Sequence, residues 1–257
     1  MLSPVLFCLY MDVLLDRLQR LGRGAHIGEL FSGALGYADD LALIATSVSA
    51  MDEMLALCER FAGEFSLKFN GSKSQSLFFS AAGSRAVVAP SFSLNGEPIP
   101  QVKNAIHLGA NIGYGSDDIN LKKASVDMAV AANKVRCAFG NTPLAIRRRL
   151  FRTYCCSFYG SPLWNFSKIE QLTICWRRSL RGLLGLPART HRWLIPLVAC
   201  IPPPDVELPW RFAKFWRSCR LSPNPVVQIC TSLCLVSSTN AACNLRYVVT
   251  GVSRGEP

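Results

Sequence analysis

The stretch Gly36-Tyr37-Ala38-Asp39-Asp40-Leu41 constrains the fold more than any other part of the 257 residues. Apolar runs flank it, Phe31 to Leu35 before and Leu41 to Ala45 after. Runs of that length, bounded by a glycine and followed by polar Thr46-Ser47, predict two strands joined by a tight turn. Two adjacent carboxylates then sit at the tip. They repel each other, and burying either without a partner is costly. A divalent cation relieves both problems, because hard oxygen ligands suit Mg²⁺. A solvated Asp pair on an ordinary turn is the alternative, since turns use aspartate often. The tyrosine ahead of the pair and the apolar strands on both sides weigh against it.

Upstream, Ser3 can cap a helix and Pro4 suits its first turn. Apolar residues at Leu6, Phe7, Tyr10, Leu14, Leu15 and Leu18 then keep close to helical spacing, with Asp12 and Asp16 on the solvated face. Leu21 to Gly28 is a Gly-rich loop without the strand-then-GxGxxG order of a dinucleotide site. His26 has no cysteine or second histidine at ligand spacing, so it reads as a loop residue. After the hairpin, Ser49, Asp52 and Glu53 open a second helix. Its stripe of Met54, Cys58, Phe61 and Phe65 is core. Asn70-Gly71 marks a turn and Leu77-Phe78-Phe79 a strand. The Ala-, Gly- and Ser-rich connector Ser80 to Val88 leads to a small hairpin over Phe92 to Ile99 with Asn95-Gly96 at its tip. Ala105 to Ile112 follows as a single strand.

Charge divides the chain. Residues 1–127 hold ten Lys and Arg against thirteen Asp and Glu, a net of −3, whereas residues 128–257 hold eighteen against four, a net of +14. Phosphates bring about one negative charge per nucleotide, so a half this poor in acids predicts contact with nucleic acid. A solvated helix face accounts for any single basic run, but not for the whole half. Helices are expected over Asp117 to Phe139, Leu144 to Tyr159 and Ser167 to Leu184. Arg147, Arg148, Arg149 and Arg152 cluster on the second; Arg177, Arg178 and Arg181 lie on the third. Beyond Pro187, Ile201 to Asp205 reads as a stiff extended breaker. Trp210 to Arg217 looks like a short basic-aromatic helix, and Val226 to Pro257 has no firm period. The eleven cysteines include no CxxC pair, and Cys230-x-x-x-Cys234 lacks a histidine partner, so reduced thiols are expected. No signal peptide is apparent and the apolar runs are too short to cross a bilayer, so no membrane role and an intracellular site are expected.

Tyr37-Ala38-Asp39-Asp40 within GALGYADDLALIA resembles the catalytic hairpin of reverse transcriptases, in particular those of non-LTR (LINE-type) retrotransposons. Leu2-Ser3-Pro4-Val5-Leu6-Phe7 resembles the family's LSP-x-LF segment, and Leu67 to Ser74 its LKFN-x-SKS segment. Leu108-Gly109 matches part of YLG-x-x-I, with His107 replacing the aromatic. Leu150 to Trp164 is similar to the helix after the polymerase core. The resemblance implies an α+β fold. A partial polymerase palm, an antiparallel hairpin sheet with packed helices, would span residues 1–113. An all-α thumb would span 114–190, and a Pro-rich connector with a loosely packed tail 191–257.

The implied activity is RNA-directed DNA polymerisation, a metal-dependent transfer of deoxynucleotides to a primer 3′ end. Asp39 would be the metal ligand for Mg²⁺ (or Mn²⁺), Asp40 its supporting carboxylate, and Tyr37 the residue beneath the nucleotide. Ser3, Pro4 and Phe7 would lie under template and incoming nucleotide. Lys73, or Lys68, could assist pyrophosphate departure. His107, Leu108 and Gly109 would form the primer grip, and the seven arginines would bind phosphates without reading sequence. Tyr154, Phe158 and Trp164 read as thumb core rather than stacking platforms. The partners implied are an RNA template, a DNA primer and deoxynucleoside triphosphates, in the nucleus or cytoplasm as a ribonucleoprotein. Two-metal transfer needs carboxylates on both sides of the metal pair. In the family one comes from a strand upstream of LSP-x-LF, as do the fingers, whereas this sequence starts inside that motif. The expectation is therefore half a catalytic centre, inactive unless an upstream half is supplied. A non-catalytic nucleic-acid-binding remnant and an inert relic are the other classes left open.

Overall fold

The computed structural model describes residues 3–80, 90–234, 241 and 243–245. The expected connector beyond Ser80 and most of the expected loose tail lie outside these residues. The chain divides into two compact units, Met1–Ala105 and Ile106–Pro257.

In the first unit, α1 (Ser3–Leu21) and α2 (Val48–Glu64) pack through Met11, Leu14 and Leu18 against Met54, Cys58 and Phe61. Each set recurs at three- and four-residue spacing, which puts it on one helical face. Removing each such side chain from water is worth about 1.5–3 kcal/mol. α2 begins two residues earlier than its acidic residues suggest. Ser47, not Ser49, is the cap, and its Oγ accepts the Ala50 N–H at 3.2 Å. Asp12 and Asp16 are exposed, and Asp16 pairs with Arg20 one turn on.

The strands come as short hairpins with two-residue turns: β1 (His26–Ile27) with β2 (Leu30–Phe31), and β3 (Ala34–Tyr37) with β4 (Asp40–Leu43). β5 (Phe92–Leu94) pairs with β6 (Glu97–Ile99), and β7 (Asn104–His107) with β8 (Ala110–Gly113). Among the described residues they remain four two-stranded ribbons; the helices rather than a shared sheet organise them. Three local expectations are corrected. Leu77 to Phe79 form no strand; the chain there makes only a parallel bridge between Ser76 and Gln101. Ala105 to Ile112 is not one strand, because Leu108 and Gly109 both take left-handed backbone (φ 48° and 78°) and reverse the chain. Two successive positive-φ residues match the twist of a hairpin. His26 opens β1 with its ring edge-on to Phe31 at 5.4 Å, instead of lying in a loop.

The second unit is helical beyond β8. α3 (Ser116–Phe139) falls within a residue of expectation. α4 (Leu144–Leu150) continues as a π-turn over Phe151–Cys155 and stops, short of the expected Tyr159. Phe158 and Gly160 take positive φ (44° and 74°), so the backbone cannot stay helical there. A short 3₁₀ turn at Phe166–Lys168 leads into α5 (Glu170–Leu184). α6 (Leu194–Ala199) arises where no helix was expected. α7 (Pro204–Arg220) starts inside the supposed breaker, with Pro204 as its first residue, where a missing N–H costs nothing. α8 (Pro225–Cys234) orders the front of the supposed loose tail. Trp176, Phe151, Phe166 and Phe212 are fully buried at the centre. Buried Asn244 ties the end of the described chain to this core, donating to the Trp164 carbonyl at 2.7 Å and accepting the Phe166 N–H at 3.1 Å.

All eleven cysteines are free thiols. Burial pushes the Cys58 thiol up to about 12 and Cys155 to about 11; burial raises Cys156 as well, with Glu207 adding to it. At about pH 8 these three stay protonated, so a disulfide reagent should modify them only on unfolding. Exposed Cys8, Cys137 and Cys200 should react at once. Rapid modification of all eleven in the folded chain would contradict the packing.

Candidate functional site

The register of β3 and β4 decides what the hairpin presents. Ala34 opposes Leu43, Leu35 opposes Ala42, Gly36 opposes Leu41 and Tyr37 opposes Asp40. Residues directly opposite share a face. Ala34, Leu41 and Leu43 pack against the core of α1 and α2. Gly36 meets α1 so closely that a Cβ there would lie 3.1 Å from Leu15 Cδ1. The other face, with Leu35, Tyr37 and Asp40, is turned to solvent, and Tyr37 is 65% exposed. Ala38 and Asp39 form the turn, with Ala38 in the left-handed region at φ 53°. A non-glycine residue held there costs about 1 kcal/mol or more. The base of the ribbon is fixed by Ile44 N–H donating to the Gly33 carbonyl at 2.7 Å and Ala25 N–H to the Ile44 carbonyl at 2.8 Å.

Tyr37, Asp39 and Asp40 are thus gathered at one rigidly backed tip. Both carboxylates are exposed and neither enters an ion pair among the described residues. The donor chemistry fits a hard divalent cation that keeps water and substrate oxygens in its shell. Among the described residues, no group of three or more His, Cys, Asp or Glu could hold a metal ion. The fit is therefore that of a two-carboxylate site, open on its remaining sides.

Other expected site residues lie elsewhere. The backbone of Ser3 and Pro4 opens α1, while Phe7 packs on the core of the first unit. Lys73 is exposed on the turn from Asn70 to Ser74, which the Asn70 side chain ties together by accepting the Lys73 N–H at 3.0 Å. Lys68 lies 3.9 Å from Glu97. Leu108 and Gly109 form the turn between β7 and β8, with His107 half-buried before it. Phe158 and Trp164 are buried, as core residues should be, but Tyr154 is 66% exposed and corrects the expectation for that residue.

The arginines separate into two groups. Arg147 donates to the Leu183 carbonyl at 2.7 Å, Arg148 to the Val198 carbonyl, and Arg181 to the Thr190 carbonyl at 2.9 Å. The Leu183 and Val198 carbonyls lie in the last turns of α5 and α6, where helical backbone runs out of internal donors, and Thr190 lies in the loop between the two helices. All three arginines are partly buried, and each gives at least one donor to the fold. Arg149, Arg152 and Arg178 are exposed and Arg177 is half-buried.

Arg211, on the expected basic-aromatic helix, also caps backbone carbonyls. It donates to the carbonyls of Cys156 (2.7 Å) and Ser157, beyond the π-turn, while pairing with Glu207 at 2.6 Å. Its i,i+4 spacing from Glu207 was the available signal.

The sequence model of the family described as reverse transcriptase (RNA-dependent DNA polymerase) matches residues 1–112. The matched segment is less than half of the chain and contains Tyr37, Asp39 and Asp40. The match makes that segment similar to reverse transcriptases. No curated protein matches the chain. None of the helices is long and apolar enough to cross a membrane, among the described residues.

Proposed function

We propose that this chain is the C-terminal part of the polymerase domain of a LINE-type reverse transcriptase, followed by a helical thumb. The reaction is metal-dependent nucleotidyl transfer to a primer 3′ end on an RNA template. One observation carries the reading: Asp39 and Asp40 stand beside Tyr37 at the exposed tip of a ribbon braced on α1. Asp39 and Asp40 would hold Mg²⁺ or Mn²⁺, which when bound supplies Lewis acidity and neutralises phosphate charge. Tyr37 offers an exposed flat ring on the same face as Asp40, suited to lie beneath a nucleotide. Lys73 would donate a proton to, or fix charge on, departing pyrophosphate. The backbone of the Leu108-Gly109 turn, with His107, would hold the primer end. Exposed Arg149, Arg152 and Arg178, with Arg177, would meet phosphates. The LINE subtype rests on the segments around Leu2–Phe7, Leu67–Ser74 and Leu150–Trp164.

The chain by itself should not extend a primer, because two carboxylates form only one side of a two-metal centre. The opposing carboxylate would come from a further polypeptide segment. Primer extension on an RNA template with Mg²⁺ or Mn²⁺ tests this; incorporation abolished by Asp39→Ala would overturn the inactivity and uphold the polymerase. The metal role has its own readout. Mn²⁺ should broaden the backbone resonances of Tyr37 to Leu41 in the intact chain, and the double change Asp39→Asn, Asp40→Asn should remove that broadening. Unchanged resonances at millimolar Mn²⁺ would sink the metal site.

A second reading, binding without chemistry, is favoured by the charge of the second unit. Residues 106–257 hold twenty Lys and Arg against seven Asp and Glu, a net of +13. Affinity for nucleic acid that falls with salt yet survives Asp39→Ala would favour this reading if no metal binds.

A further inference from the structure

The second unit contains a cleft of about 220 Å³ lined by the β7–β8 turn, one face of α3 and the segment after α4. Its most conspicuous residues are Tyr154 and Tyr159, which are 66% and 69% exposed. Leaving aromatic rings of this size in water forgoes about 2 kcal/mol of burial each, so their exposure asks for a cause. The backbone supplies a device for it. Tyr154 lies in the π-turn, a helical irregularity that recurs at functional sites. Phe158 is held at a positive φ of 44°, which turns its own ring into the core while the next residue, Tyr159, stays outside. Strain at a bulky residue persists only where surrounding packing enforces it.

The floor of the cleft is fixed. Asn120 on α3 accepts the Asn111 backbone and side-chain N–H groups at 3.0 Å each and donates to the Asn111 carbonyl at 3.0 Å. That anchors β8 to α3. Gly109 lies against the Tyr159 ring, where a Cβ would sit 3.3 Å from Cε1. Lys123, exposed on α3, also lines the cleft and forms no salt bridge among the described residues. Asp127, one turn further along, lines it too; its carboxylate disfavours a phosphate there and suits the amino edge of a base.

We infer that this cleft binds unpaired bases of a single-stranded nucleic acid, with Tyr154 and Tyr159 as stacking surfaces and Lys123 on a flanking phosphate. Two exposed aromatic faces beside a cation on a strongly basic unit are what sequence-tolerant single-strand binding requires. The inference deepens the nucleic-acid reading proposed above and rests on it. A paired duplex offers its phosphates to such a surface but not its base faces.

The test uses the full chain and three fluorescent DNA probes of about twelve nucleotides, within the range of site sizes known for single-strand binding. One is an intact single strand, one the same strand with abasic sugars throughout, and one a blunt duplex. The intact strand should bind about tenfold more tightly than the abasic one, within the range that base–aromatic stacking supports. Tyr154→Ala with Tyr159→Ala should remove that preference while leaving the salt dependence of binding unchanged. Tyr154→Phe with Tyr159→Phe should restore it, which separates stacking from damage to the fold. Arg149→Ala with Arg152→Ala should weaken all probes alike and flatten the salt dependence. Equal affinity of the unaltered chain for intact and abasic strands overturns the inference, as does a preference that survives loss of both tyrosines, or a duplex bound most tightly of the three. No binding of any probe at low salt overturns the nucleic-acid reading itself, and this inference with it.

Discussion

Replacing Trp176 with alanine is expected to destabilise the helical unit by about 4 kcal/mol, the usual range for deleting a large aromatic side chain from a packed interior. Trp176 is completely buried, on the face of α5 that also carries Leu172, Leu180 and Leu183. α5 packs on α3, α6 and α7, so the void would open where several helices converge and could not collapse from one side alone. The measurement is clean because Trp164, Trp176, Trp193, Trp210 and Trp216 all lie in the second unit. Indole fluorescence therefore reports that unit only. Its urea midpoint should fall by about 2 M in Trp176→Ala, given a slope near 2 kcal/mol per molar. Trp210→Ala, at a residue 64% exposed, should shift it little. A fall of less than about 0.5 M for Trp176→Ala would show that the packing around α5 is misread.

The second large effect belongs to Arg211→Ala, expected to cost about 3 kcal/mol. Glu207 is only 14% exposed in its side chain, so removing its cation strands a carboxylate in a poorly solvated place. The same change leaves the Cys156 and Ser157 carbonyls without their donor, and removes the guanidinium lying 5.4 Å over the Phe158 ring. Arg211→Lys should recover part of the loss, since an ammonium keeps the charge but not the fork of donors. Glu207→Gln added to Arg211→Ala should recover more, because the stranded charge is then gone. Indole fluorescence in urea again supplies the readout. A double variant as unstable as Arg211→Ala alone would mean that the lost carbonyl caps, not the unpaired acid, dominate.

What could be read from the sequence was whatever rests on local pattern. α3 is legible because Leu121, Met128, Ala132 and Val135 keep helical spacing and Gly140 to Pro143 close it, and the β3–β4 turn because apolar strands bracket an acidic pair. What escaped depends on backbone that side chains do not announce. Leu108 takes a left-handed conformation that favours glycine or asparagine, so the β7–β8 turn was hidden inside an apparent strand. Phe158 does the same at the end of α4, and it decides that Tyr159 is outside while Trp164 is inside. Among the functional candidates, the acidic tip was visible because both aspartates are consecutive. The division of the arginines was not. Whether Arg148 faces solvent or the Val198 carbonyl depends on where α6 packs, about fifty residues on, and single-sequence periodicity carries nothing about that.

That division changes how the basicity of the molecule should be weighed. An isoelectric point near 9.3 counts every guanidinium equally. Arg147, Arg148, Arg181 and Arg211 each donate to backbone oxygens, and drawing those donors to a polyanion would mean undoing contacts that hold helix ends and loops. Heparin or a nucleic acid would thus meet a smaller cationic surface than titration of the whole chain suggests. Neutralising one of those four would loosen the scaffold before it weakened the grip.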